Sequence, residues 1–253
     1  MSSPADLFLP DAYRTNPAAS ADRDGTPYWN GGLTDNDIRF QVPVYRLAAR
    51  RARQLSPGLV MDIGCGSGDK LAEFFGTSPA RIVGVDQDSA IRFARDRFPS
   101  IEWLSGDLDA EQFWTELTEF RPDLVICADV IEHLVDPAAL LRRLHHLIGD
   151  GLLILSTPDR ASLDHADPLG PPGNRRHIRE WTADELSKFV AAAGFRTVAR
   201  HHVLPRRYSP TKVELKRTAW RALHALPIPD RRSCQVHELR QSSATYGELE
   251  QRS

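Results

Sequence analysis

Three stretches of the sequence concentrate groups that could bind a charged ligand or move a proton. In Asp62-Ile63-Gly64-Cys65-Gly66-Ser67-Gly68, glycines recur at alternate positions, so the backbone can turn sharply and approach a ligand with no Cβ in the way. In Ala128-Asp129-Val130-Ile131-Glu132-His133-Leu134, the acids and the imidazole stand at i, i+3 and i+4. If a helical turn starts at Asp129, all three share one face and could take a divalent cation. Alternatively His133 alone serves as a general base, since an imidazole titrating near neutrality suits proton removal from a hydroxyl. A purely structural role, with Glu132 capping or pairing, stays open as well. The third stretch, Asn174 to Thr182, carries His177 four residues before Trp181.

The elements that must position these groups follow from periodicity. Leu59 to Ile63, Arg81 to Val85, Ile101 to Leu104, Asp123 to Ala128 and Gly151 to Ser156 are short apolar runs, each followed by a helical stretch. The helices are expected over Lys70 to Phe75, Ser89 to Arg97, Ala110 to Glu119 and Pro137 to Leu147. This alternation implies βαβ units and a parallel sheet covered on both faces. A further helix over Thr182 to Ala193 opens on a Thr182-x-x-Glu185 capping box and stops at Gly194, and Phe195 to Val203 reads as a sixth strand. Ahead of the sheet, apolar positions between Asp37 and Leu55 fall at helical spacing, ending at Pro57-Gly58. Ser2 to Pro27 reads as a loose arm rather than a packed element. In the tail, Ser209 to Ala225 has helical spacing, and Ser233 to Arg240 could form a last, antiparallel edge strand.

Ligands of open α/β sheets bind at the carboxyl ends of the strands, and here those ends carry acids. The glycine loop follows strand one. Val83-Gly84-Val85-Asp86-Gln87 ends strand two about 20 residues downstream, where a carboxylate can accept hydrogen bonds from ribose hydroxyls. Gly106-Asp107-Leu108 follows strand three, where an acid can face the exocyclic amine of an adenine. Singly, Asp86 could be a helix N-cap and Asp107 a turn residue; in this order the three sites converge on one crevice. Asp69 stands where a dinucleotide-binding fingerprint would place its last glycine, which counts against a nicotinamide cofactor.

From about Leu55 to Val203 the chain resembles class I, Rossmann-like S-adenosylmethionine-dependent methyltransferases. The resemblance implies a doubly wound α/β fold, with a mostly parallel seven-stranded sheet flanked by helices. It implies a cofactor site built from Asp62, Gly64, Cys65, Gly66, Gly68, Asp86, Gln87, Asp107, Leu108 and Asp129, with S-adenosyl-L-methionine as cofactor. The glycine loop would hold the methionine portion, Asp86 the ribose, and Asp107 with the Leu108 backbone the adenine. The catalytic candidates are His133, Glu132 and Asp129. The pairing of the strand-four cluster with a later His before Glu-Trp-Thr is similar to that of small-RNA 2′-O-methyltransferases, and the cluster alone to that of ubiquinone-biosynthesis O-methyltransferases. On that likeness Asp129, Glu132, His133 and His177 would bind Mg2+ or Mn2+, although Asp129 stands where those families carry a longer Glu. The segment from Asp159 to Thr182 also resembles bacterial methyltransferases of glycans, glycolipids and secondary metabolites. The implied reaction is O-methylation of a saccharide or glycoconjugate, with a quinone, a catechol or another secondary metabolite as the alternative acceptor. A non-catalytic S-adenosylmethionine-binding protein and an NAD-dependent oxidoreductase are the readings from other classes.

Composition bounds the rest. A chain of 253 residues with 41% hydrophobic content can bury one substantial core, which suggests an arm over residues 1–36 and a single domain over 37–253. A net charge of -2 supplies no broad positive field, so nucleic acid is disfavoured as a partner. Three dispersed cysteines indicate neither a disulfide framework nor a zinc ribbon, and no run is long and apolar enough to span a membrane. A cytoplasmic location is the expectation. The resemblance implies that acceptor recognition falls to the arm with Tyr28 and Trp29, to the Asp159–Arg176 loop with His165, and to an insertion at about 204–232. That insertion carries Arg206, Arg207, Lys212, Lys216 and Arg217, with Trp220, Leu223 and Leu226 for the crevice or a homodimer contact.

Overall fold

The computed structural model describes residues 5–20, 41–163, 167–203 and 234–242. The expected tail helix, Tyr28, Trp29, His165 and the basic residues from Arg206 to Arg217 lie outside the described residues.

Seven strands form one sheet: β1 (Leu59–Ile63), β2 (Arg81–Asp86), β3 (Glu102–Ser105), β4 (Leu124–Ala128), β5 (Leu152–Pro158), β6 (Phe195–Val203) and β7 (Cys234–Gln241), in the order β3-β2-β1-β4-β5-β7-β6. The first five pair in parallel, and β7 runs antiparallel to both β5 and β6. Among the described residues six α-helices accompany them: α1 (Val42–Leu55), α2 (Asp69–Phe75), α3 (Asp88–Arg97), α4 (Glu111–Leu117), α5 (Pro137–Ile148) and α6 (Ala183–Ala192).

The central strands are mostly apolar because each face is covered. Val60, Ile82, Leu124, Ile126, Leu152 and Ile154 pack with α1, α2 and α3 in one core layer. Their alternates Met61, Ile63, Val83, Val85, Val125, Leu153 and Leu155 pack with α4, α5 and α6 in the other. Local signals end the helices where the chain must turn. Asp136 accepts the Ala139 N–H ahead of α5, and the Thr182–Glu185 capping box opens α6 with both of its reciprocal bonds made.

Two expectations need correction. The last strand is not an edge: β7 lies between β5 and β6. Two of its buried polar residues have partners within the fold, Gln235 Nε2 donating to Trp181 O at 2.9 Å and Glu238 receiving Arg51 Nε and Nη2 at 2.6 and 2.7 Å. The edge is β6, whose exposed charged residues and irregular register at Thr197/Ala199 are ways in which edges resist further pairing. The expected loose arm is packed where it is described: Leu7, Leu9 and Tyr13 are buried in the α4–α6 layer. Aromatic and aliphatic anchors spaced irregularly along a coil give no periodic signal, yet each buries its own apolar area.

Candidate functional site

The glycine loop leaves β1 with Gly64, Gly66 and Gly68 all in the left-handed region, at φ 81°, 61° and 75°. At Gly64 a Cβ would also stand 2.3 Å from Val130 Cγ2, so both conformation and contact require glycine. Asp86, at the end of β2, ties this loop down: one carboxylate oxygen accepts the Gly66 N–H and the other the Gln87 N–H, each at 2.7 Å. Asp62 is fully buried beneath the loop, accepts the Tyr45 hydroxyl at 2.7 Å on Oδ2, and has no hydrogen-bond partner for Oδ1 among the described residues. Burial pushes its carboxyl up to about 7, against the Tyr45 hydrogen bond and the Lys70 charge. Lys70 is itself buried, its Nζ 5.8 Å from the Tyr45 ring centroid, and burial lowers its pKa. The Cys65 thiol is buried, and burial pushes its pKa well up.

After β3, Asp107 is exposed and accepts the Asp109 N–H at 2.9 Å. The Leu108 carbonyl is held by Trp114 Nε1 and Arg143 Nη1, both at 2.9 Å. Gln41, at the mouth of α1, donates to the Ala128 carbonyl at 2.8 Å.

At the end of β4 the backbone takes an unusual step: Asp129 adopts φ 56°, a left-handed conformation uncommon for a residue with a Cβ. Its N–H donates to Ser156 O, and its Oδ1 accepts from Ser156 Oγ at 2.7 Å and Cys234 Sγ at 3.1 Å. A 3-10 turn then covers Ile131–His133. Glu132 is fully buried; Oε2 accepts Thr157 Oγ1 at 2.9 Å, and Oε1 has no hydrogen-bond partner among the described residues. Burial, with Asp129 adding to it, holds this carboxyl well above its ordinary range.

The His177 segment folds back onto this turn, with the Ile178 N–H donating to Glu132 O at 2.8 Å. Glu132, His133 and His177 each bring a potential ligand atom within 4.8 Å of the others. The two imidazoles meet edge to face at 4.8 Å between ring centroids. His133 Nδ1 faces the Arg176 carbonyl at 2.9 Å, and His177 Nδ1 faces Glu180 Oε1 at 2.5 Å. Both partners are acceptors, so each Nδ1 carries the hydrogen and each Nε2 keeps its lone pair, which in His177 accepts the Asn174 Nδ2–H at 2.8 Å. Burial, followed by the neighbouring His177, lowers the His133 pKa to about 4.

Among the described residues the ligand atoms that lie within 4.8 Å of one another belong to Glu132, His133 and His177, and Asp129 is not in that group. The one-face geometry needed an α-turn running through Asp129, whereas the turn begins at Ile131 and is 3-10. Tyr45, Lys70, Gln41, Tyr13 and Glu180 are functional candidates that the sequence alone did not single out. Tyr45 carries only the signature of an apolar helix face, and Tyr13 and Glu180 lie in coil. The cluster and the glycine loop adjoin through Val130, the residue that crowds Gly64.

A family model described as a methyltransferase domain matches residues 39–200. The chain is 36% identical over 164 residues to a probable S-adenosylmethionine-dependent methyltransferase of Mycobacterium tuberculosis H37Rv; the match covers 64% of this chain and 56% of that protein. It is 36% identical over 107 residues to the ubiquinone biosynthesis O-methyltransferase of Pseudomonas aeruginosa UCBPP-PA14, covering 40% of this chain and 44% of the relative. The chain thus spans little more than half the length of the first of these relatives and less than half of the second. In fold it is similar to the plantazolicin methyltransferase BamL, solved with a substrate analogue and S-adenosylhomocysteine. The TM-score is 0.60 at 13% identity, over 96% of this chain and 100% of that one.

Proposed function

The chain belongs to the methyltransferase-domain family, and from that premise we propose that it is an S-adenosylmethionine-dependent O-methyltransferase acting on a hydroxyl of a small molecule. The observation that carries the O-methyl assignment is the convergence of Glu132, His133 and His177 beside the glycine loop. The loop amides and Asp62 would receive the amino-acid end of the cofactor, Asp62 supplying a carboxylate for its ammonium. Asp86 and Gln87 would receive the ribose, and Asp107 and Leu108 the adenine. S-adenosylmethionine supplies a sulfonium methyl open to in-line attack, so the protein has to align the acceptor and handle one proton.

The donor set fits a divalent cation such as Mg2+ or Mn2+. Each imidazole has an Nε2 lone pair, that of His177 taken up by the Asn174 Nδ2–H at 2.8 Å, and a buried carboxylate oxygen, Glu132 Oε1, has no hydrogen-bond partner among the described residues. Such an ion lowers the pKa of a bound hydroxyl. His133 acting alone is the weaker reading, because a base pulled down to about 4 takes a proton from a hydroxyl poorly. Adjacent hydroxyls, as in a saccharide or glycoconjugate, suit a site that binds the acceptor through a cation. The likeness to a ubiquinone biosynthesis O-methyltransferase favours a catechol as the second acceptor class.

Calorimetric titration of S-adenosylhomocysteine into the metal-stripped protein, with and without Mn2+, tests the assignment. Binding is expected in the parent chain and lost in Asp86→Ala. Heat from Mn2+ is expected to vanish in His133→Ala and in His177→Ala. A chain that never binds S-adenosylhomocysteine overturns the reading.

A further inference from the structure

His177 sits in a stretch that is neither helix nor strand, so its place beside Glu132 and His133 depends on what grips the coil around it. Ile178 N–H on Glu132 O and Arg179 on Leu134 O and Val135 O hold the coil from one side, and the other end of the described chain holds it from a second. Leu7 O accepts Trp181 Nε1–H at 3.0 Å, and the Tyr13 hydroxyl oxygen accepts the Glu180 N–H at 2.9 Å. Asn16 donates through its N–H to Ile178 O at 2.8 Å and through Nδ2 to Arg175 O at 2.9 Å, and the Arg14 N–H donates to Leu169 O at 2.8 Å. Tyr13 is buried, with the Arg160 guanidinium 4.6 Å from its ring centroid. The backbone of Glu180 is therefore fixed by Tyr13, and the Glu180 side chain takes the His177 Nδ1 hydrogen.

We propose that residues 7–16 are a strap belonging to the acceptor side of the site, and that Tyr13 and Glu180 are positioning residues that hold His177 as an Nδ1–H imidazole, leaving Nε2, which now takes the Asn174 amide hydrogen at 2.8 Å, as the atom an ion would claim in place of Asn174. The proposal rests on the cation reading above and deepens it. A carboxylate behind a ligating imidazole fixes its tautomer and strengthens its free nitrogen as a donor, and losing such a partner costs about 10–100-fold in metal affinity. The strap adds the second requirement: without it, ordering the coil would have to be met from the binding energy of the ion.

The test is Mn2+ affinity of the full chain, followed by electron paramagnetic resonance, in the parent, Tyr13→Phe, Glu180→Gln and His177→Ala. The affinity for S-adenosylhomocysteine reports intact folding in each. Tyr13→Phe keeps the ring over which Arg160 lies and removes only the oxygen. Both positioning variants are expected to weaken Mn2+ by about 10-fold or more with S-adenosylhomocysteine affinity within about 2-fold of the parent. Nitrogen-15 shifts of the His177 imidazole are expected to report the Nδ1–H form in the parent and a mixture in Glu180→Gln. Parent protein that binds no Mn2+ overturns the cation reading. Parent protein that binds Mn2+ as tightly as both variants do overturns the strap, and so does a His177 found as Nε2–H, whatever the metal result. If Tyr13→Phe loses S-adenosylhomocysteine as well, Glu180→Gln decides.

Discussion

Two residues at the head of the cofactor loop illustrate how far single side chains set behaviour. Asp62 holds its proton up to about pH 7 when folded, whereas an unfolded carboxyl releases it near pH 4. Between those limits the folded state binds more protons, so this group makes the protein less stable as pH rises, by up to about 4 kcal/mol across the window. Asp62→Asn should remove that slope, seen as the difference between the two melting curves at pH 4.5 and 7.5. The ammonium of S-adenosylhomocysteine favours the ionised carboxylate, so its affinity should climb as pH rises toward and past 7 in the parent and stay flat in Asp62→Asn. At Gly64, alanine should weaken S-adenosylhomocysteine by at least about 10-fold. Val130→Ala in the same chain should recover part of the loss by removing the methyl 2.3 Å from the new Cβ. The left-handed φ penalty, about 1–2 kcal/mol, would remain. These residues were legible in the sequence because glycine spacing and strand-end acids are local signals. Tyr45 and Lys70 were not, since their role depends on which face of α1 and α2 meets β1.

At the scale of elements, the strands and helices of the first five βα units match their sequence patterns closely, because an apolar run between turn signals has one way to be buried in a parallel sheet. β7 was placed at the wrong position because Gln235, His237 and Glu238 look like solvent-facing residues until their partners are known. Glu238 clamps α1 through Arg51 and β6 through His201, the latter at 2.7 Å. Glu238→Ala should cost about 2–3 kcal/mol in urea unfolding, the worth of a hydrogen-bonded charged group lost from a buried position. Thr182→Ala removes one half of the α6 capping box and should cost about 1 kcal/mol with an unchanged denaturant slope. The cluster geometry at β4 was half legible: the sequence brought Glu132, His133 and His177 together through a family likeness. A 3-10 turn in place of an α-turn, which no residue pattern announces, removed Asp129 from the set.

For the whole molecule, the sheet divides labour across the junction between β1 and β4. Strands β1 to β3 carry the loop and acids assigned to the cofactor, while β4, β5 and the coil after it carry the cluster assigned to the acceptor. A ligand confined to the first half should still stabilise the entire cooperative unit, so S-adenosylhomocysteine at 100 times its Kd should add about 2.7 kcal/mol in a thermal-shift experiment. Among the described residues no helix is long and apolar enough to cross a membrane. The position of β7 also sets an order of events during synthesis. A chain leaves the ribosome with its strap ahead of the sheet and with β7 after the other six strands, and among the described residues β6 pairs with no strand except β7. Until residues 234–241 have emerged, β5 waits with an open flank, and that half of the nascent protein depends on chaperones or speed to keep its exposed strand from other chains.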